Sequence, residues 1–263
     1  MASTDVYGDL VHSVGGDRVS VTSFISNPSQ DPHSYVANAR DQLAIRTARL
    51  VVENGGGYDD FMDTMLKAAP GDREVLNVVA LSGHHPTDGG ELNEHVWYDF
   101  TTVETFVARL AGALAVLDPV DANTFRANAA VLRAAVAALE ARVQTLREKV
   151  AGQAVAITEP VPLYLLNACG LVNATPSDFS EAIEDGTDVP VTVLHQTLNM
   201  FRDHKVRALV YNAQTSGPQT EQVRNAALDN NIPVVPVTES LPSGLSYVAW
   251  MSRNLNALEQ ALS

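Results

Sequence analysis

Apolar positions along the chain switch repeatedly between short β-rich runs and the three- and four-residue recurrence of helices. This alternation is the signature of parallel strands joined by crossover helices. In the first half it predicts a strand over residues 19–26, helices over 38–52 and 59–69, a strand over 74–81 and a helix over 102–117. Residues 83–94, rich in Gly, His and Asp, read as a mobile loop. From 121 to 150 the pattern becomes one Ala-rich helix, with Leu132, Val136, Leu139, Val143, Leu146 and Val150 on a common stripe. A helix of that length extends roughly 45 Å, enough to join two lobes. Alternation then resumes, with strands over 154–158, 208–212 and 232–237 and helices over 160–169, 191–203, 218–228 and 246–262. No short-period repeat is present. The expected fold is α/β, two lobes with mostly parallel sheets joined by a long rigid linking helix. The N-terminal lobe takes residues 1–120, the linking helix 121–150 and the C-terminal lobe 151–263.

Composition narrows the function classes. With 263 residues and 46% hydrophobic content, the chain can fill either one large core or two smaller ones. The formal net charge is −14 and no Lys/Arg cluster exists, which argues against nucleic acid as a partner, because phosphate backbones require local positive charge. No unbroken run of about 18 apolar residues occurs, so no membrane span is expected. Cys169 is the only cysteine, which excludes an intramolecular disulfide and favours a buried small hydrophobe over a reactive thiol. No basic and apolar leader precedes Asp5, which is compatible with a chain whose export segment has been removed.

The candidate chemistry lies in His33, His95, Glu159 and Glu239, separated by 62, 64 and 80 positions and each expected just after a strand or strand-like run. Open α/β sheets bind ligands beyond the carboxyl ends of their strands, where such loops converge. Two imidazoles and two carboxylates form a donor set for a divalent ion, and the two anions would cancel its charge on burial. Empty, the same cage would hold two repelling carboxylates. Pro160 should keep Glu159 out of the helical region and open the next helix itself. Duller roles compete: His33 could stabilise a turn after Asp31-Pro32, and Glu159 or Glu239 could be a surface carboxylate at a helix N-terminus. Asp99 is a candidate acceptor for an imidazole. His84 and His85 could capture metal from the loop, although solvated turn residues are the simpler reading. His12, His195 and His204 read as surface or packing residues. Gly55-Gly56-Gly57 lacks the continuation of a phosphate loop and reads as a turn.

Three stretches carry a resemblance: Asp31-Pro32-His33-Ser34-Tyr35, Val51-Val52-Glu53-Asn54-Gly55-Gly56-Gly57-Tyr58-Asp59-Asp60-Phe61 and Asn93-Glu94-His95-Val96-Trp97-Tyr98-Asp99. Together with the order of segments from Asp185-Gly186-Thr187 to Val210-Tyr211, they resemble the TroA-like zinc- and manganese-binding solute receptors of ABC importers over nearly the whole chain. The resemblance implies an extracytoplasmic receptor, in the periplasm or at the cell surface, with a lipid anchor conceivable on the full precursor. It implies one Zn²⁺ or Mn²⁺ as cargo in the inter-lobe cleft, an ABC permease as partner, a monomer and no enzymatic activity. His33, His95 and Glu159 match family ligands, Glu159 in the manganese-type pattern. The fourth ligand is usually Asp, where this chain has Glu239, and Asn212 stands where many relatives have an acid. The alternative is a metal-dependent hydrolase, which would need an open coordination position for water. Because ligands must be deprotonated, cargo release is expected on acidification between about pH 5 and about pH 8.

Overall fold

The computed structural model of the chain describes residues 1–86 and 92–263. Part of the expected loop, residues 87–91, therefore lies outside the described residues. In chain order the elements are β1 (Ala2–Thr4), α1 (Asp5–Gly15), β2 (Ser23–Ile25), α2 (Ala39–Thr47), β3 (Leu50–Glu53), α3 (Asp60–Ala68), β4 (Glu74–Asn77), α4 (Val78–Ser82), α5 (Phe100–Leu117) and α6 (Ala122–Val150). There follow β5 (Ala154–Ile157), α7 (Leu163–Ala168), β6 (Val172–Asn173), α8 (Ser177–Glu184), α9 (Val191–Arg202), β7 (Leu209–Asn212), α10 (Pro218–Asp229), β8 (Val234–Val237) and α11 (Tyr247–Leu262).

Among the described residues the strands form two four-stranded sheets, in the orders β2-β1-β3-β4 and β6-β5-β7-β8. Every pairing is parallel. The order is the same in both sheets, so each reverses direction of travel between its first strand and its third. At such a switch point the loops leaving the two strands part to opposite faces and leave a place for a ligand.

The chain divides into two compact units, one formed by Met1–Ala138 with Ser240–Val248, the other by Leu139–Glu239 with Ala249–Ser263. The long helix α6 contributes to both. Its first part holds on to unit 1, where the Asn128 amide donates to the Val14 carbonyl at 3.0 Å. Its second part holds on to unit 2, where Arg142 donates to Ser252 and Asn256 of α11 at 2.8 and 2.6 Å. The returning segment Ser240–Val248 is fastened in unit 1 by two acids of α1. Asp5 accepts the Leu241 N–H at 3.2 Å and Asp9 the Tyr247 N–H at 2.8 Å.

Several expected elements change in outline. The helix expected over 38–52 is two elements. Asn38 and Asp41 form a reciprocal capping box for α2, which ends at Thr47, and Leu50–Glu53 is a strand. All four strand residues are buried, so no alternation marked it, and its apolar spacing merged with that of the helix. The strand expected over 74–81 stops at Asn77, whose side chain accepts the Ala80 N–H and starts α4. The strand expected over 19–26 is confined to Ser23–Ile25. The helix expected to open at Pro160 begins at Leu163, because Pro160 and Pro162 each bias the preceding residue out of the helical region. Elements β1, α1, β6 and α8 were not anticipated, the two strands being only three and two residues long.

One helix is longer and more apolar than the search for an unbroken apolar run brings out. Helix α5 has 18 residues with a mean hydropathy of 1.5, long and apolar enough by those measures to cross a bilayer. Its apolarity is used inside unit 1, where Phe100, Val103, Phe106, Val107, Leu110 and Leu114 are buried, as in the core helix of a globular unit. Cys169 is buried as expected, and burial pushes its thiol up to about 12.

Candidate metal centre

Unit 1 gathers the two histidines. His33 does not follow a strand directly but lies in the loop between β2 and α2, in a turn made by Asp31, which accepts the His33 N–H and the Ser34 hydroxyl, both at 2.9 Å. The turn is thus built without the imidazole. His95 follows the loop after α4, beside a short 3₁₀ turn over Val96–Tyr98. The buried Tyr58 ring stands against both imidazoles, with centroids 5.2 Å from His33 and 5.8 Å from His95. Trp97 packs on His95 at 5.1 Å and on Tyr58 at 4.7 Å.

The tautomer of His95 follows from its partners. Asn93 Oδ1 accepts the His95 backbone N–H at 3.1 Å, which identifies that atom as oxygen, and it lies 2.8 Å from His95 Nδ1. Nδ1 must then carry the proton, so the lone pair resides on Nε2, the atom suited to a cation. His95 is 1% exposed. Burial, with repulsion from His33, lowers its pKa to about 3. The imidazole is held neutral far below its ordinary range, and the expected proton competition between pH 5 and pH 8 does not extend to this residue.

The platform beneath these rings is the loop after β3. Asp59 accepts the N–H groups of Asn54 and Gly55 at 2.7 and 2.8 Å, and Gly55, Gly56 and Gly57 all have positive φ, the turn that glycines allow. Asn54 donates through Nδ2 to the Glu94 carbonyl at 3.0 Å and accepts from the Tyr7 hydroxyl, which fixes the residue before His95. Burial pushes the Asp59 carboxyl up, opposed by those backbone donors. Asp99 does orient an imidazole, but that of His84, at 2.9 Å from Nε2, while also capping α5. His85 is exposed. Glu94, which the sequence pattern does not single out, has its carboxylate 3.4 Å from His33 Nε2.

Unit 2 gathers the two glutamates at its switch point. Glu159, 3% exposed, stands two residues beyond β5, and Glu239 two residues beyond β8. Asn212, the last residue of β7, donates through Nδ2 to Glu159 Oε2 and, at 2.8 Å, to Glu239 Oε1. Its Oδ1 accepts the Gln214 N–H at 3.1 Å, which orients the amide. The Asn212 N–H donates to Thr158 Oγ1 at 2.9 Å, and Gln214 Oε1 accepts the Glu239 N–H at 2.6 Å. The two amide hydrogens are therefore shared between the two carboxylates and Thr215 Oγ1, which accepts at 3.1 Å. An acid at position 212 would place a third anion there instead.

Two outcomes follow. In metal-free protein, unfolding should take up one proton at His95 between about pH 6.5 and about pH 3, so stability should fall by about 1.4 kcal/mol per pH unit of acidification from this group. The sign follows from the lowered folded pKa, since the unfolded state binds the proton first. Denaturation midpoints at pH 7 and pH 5 should therefore converge in His95→Asn relative to the unsubstituted chain; an unchanged pH dependence would refute the lowered pKa. Asn212→Asp should cost the metal-free protein about 1–3 kcal/mol, by removing a donor shared by two charges and adding a third. Urea unfolding in the presence of chelator measures this, and no loss at neutral pH would show that the amide does not hold the pair.

The family described as "zinc-uptake complex component A periplasmic" (ZnuA) matches residues 1–261. A relative from Treponema pallidum (strain Nichols) named as a metal-binding protein is 22% identical over 277 residues, covering 97% of this chain and 84% of its own. The solved structure of the periplasmic zinc-binding protein TroA from Treponema pallidum superposes with a TM-score of 0.82 at 19% identity, covering 100% of this chain and 98% of that one. That of the solute-binding protein FpvC from P. aeruginosa, in complex with Ni²⁺, has a TM-score of 0.79 at 22% identity, covering 99% and 95%. Those two likenesses show the shared fold. Because the family match extends over nearly all its residues, this chain belongs to the ZnuA family of periplasmic metal-uptake components.

Proposed function

We propose that the chain is an extracytoplasmic receptor that captures one divalent transition-metal ion as cargo and delivers it, as a monomer, to the permease of an ABC importer. His33, His95, Glu159 and Glu239 are the proposed ligands. The observation that carries this reading is the pairing inside each unit: two imidazoles beside one tyrosine and two carboxylates on one amide, in a chain of the ZnuA family. Neutral imidazole suits Zn²⁺ and Mn²⁺, and the carboxylates supply the two negative charges that neutralise the ion.

On arrival the cation joins the Asn212 amide as a second partner that reconciles Glu159 with Glu239, so binding relieves their repulsion. The family is defined by uptake, not by a reaction, and the metal-dependent hydrolase has no support. The ion is Zn²⁺ or Mn²⁺. Since Zn²⁺ binds almost any such donor set more tightly than Mn²⁺, the cargo depends on what the cell supplies as well as on affinity.

Metal analysis of protein purified without chelator should find about one divalent ion per chain, and His95→Ala or Glu159→Ala should remove most of it, as expected when one ligand is deleted from a site formed on folding. Full occupancy in both variants would overturn the assignment.

A further inference from the structure

Glu94 lies against His33 in a way the four-ligand set leaves unused. The residue is 8% exposed and its Oε1 is 3.4 Å from His33 Nε2. Its place is built by its neighbours. The Glu94 carbonyl accepts the Asn54 amide at 3.0 Å and the Val96 N–H at 2.7 Å.

The separation is itself informative. A direct N–H···O hydrogen bond would draw these atoms to about 2.9–3.0 Å. Two donors on one ion, each at about 2.1 Å, stand about 3.0 Å apart at a right angle and about 3.4 Å apart at the tetrahedral angle. The 3.4 Å between His33 Nε2 and Glu94 Oε1 is that of an ion-pair contact, and it also matches the spacing of two ligands on one ion.

We propose that Glu94 is a further metal ligand and the residue that shifts this site toward an oxygen-preferring ion such as Mn²⁺. The inference rests on the proposed role of His33 and its partners. With Glu94 the donors are two imidazoles and three carboxylates, five side chains in place of four. That number exceeds tetrahedral Zn²⁺ coordination, and the oxygen majority suits Mn²⁺. Three carboxylates outweigh the ion by one negative charge, and the Asn212 amide donors offset part of that excess on Glu159 and Glu239. Zn²⁺ can dispense with Glu94 and remain four-coordinate, which makes the contribution selective.

The test is a competition titration of the full chain with Mn²⁺ and Zn²⁺, comparing the unsubstituted protein, Glu94→Gln and His95→Ala. Glu94→Gln should weaken Mn²⁺ by about tenfold or more and Zn²⁺ by no more than about threefold, with Mn²⁺ electron paramagnetic resonance reporting the changed ligand field. Glu94→Asp, which withdraws the oxygen by one methylene, should fall between, and it serves as the second variant if the Gln form does not fold. Equal weakening of both ions would make Glu94 an orienting acceptor for His33 and overturn the proposal, as would no change in either. If His95→Ala binds both ions normally, the four-ligand reading fails; if it binds neither while Glu94→Gln is silent, only the role of Glu94 fails.

Discussion

One carboxamide sets the terms of the carboxylate half. Asn212 at the end of β7 donates to both Glu159 and Glu239, holding together two carboxylates that repel one another when ionised. The arrangement depends on the parallel sheet, since β5, β7 and β8 run side by side and deliver Glu159, Asn212 and Glu239 to the same end. Unit 1 uses a comparable device. Its third strand, β3, occupies the place in the order that β7 occupies in the other sheet, and Asn54 directly after it fixes the chain at Glu94, next to His95. In both units an asparagine at the switch point turns strand geometry into the placement of the proposed ligands.

Each donor is also prepared electrostatically. Asn93 fixes the His95 proton on Nδ1, and burial keeps the ring neutral, so Nε2 presents a lone pair with no proton to displace. Tyr58 and Trp97 wall the imidazole with apolar surface, while the Asp31 turn presents His33 from a more open loop, its side chain 33% exposed. On the proposed reading such a site would bind through what the ion satisfies, with the carboxylates supplying the charge that makes it specific for a cation.

Much of this was legible in the chain. Long amphipathic stretches such as α3, α9 and α11 announce themselves through helical spacing, and the proposed ligands stood out because His and Glu beside turn-forming residues are conspicuous in an otherwise apolar landscape. Buried parallel strands are harder, because β3 has apolar residues on both faces and no alternation to betray it, and β1 is three residues of which two, Ser3 and Thr4, are polar though buried. Proline cut the other way at Pro160-Val161-Pro162, where the second ring denied the first its helix. Second partners were the least visible. Asp99 was recognised as an imidazole acceptor, yet His84, on the near side of the loop, is the ring it holds. Glu94 carries no sequence signal that points to His33, 61 positions away, and only the fold brings its carboxylate there. The adjacency of an acid to a histidine before Val96-Trp97 was the available signal for the residue, not for its partner.

The central claim is that imidazole and carboxylate from distant parts of the chain meet on one ion. X-ray absorption at the metal edge of the loaded protein, with anomalous scattering to locate the ion, tests it directly. The account predicts a single ion whose nearest shell contains two imidazole nitrogens and carboxylate oxygens at about 2.0–2.2 Å. An ion bound elsewhere, or a shell without imidazole, would contradict it.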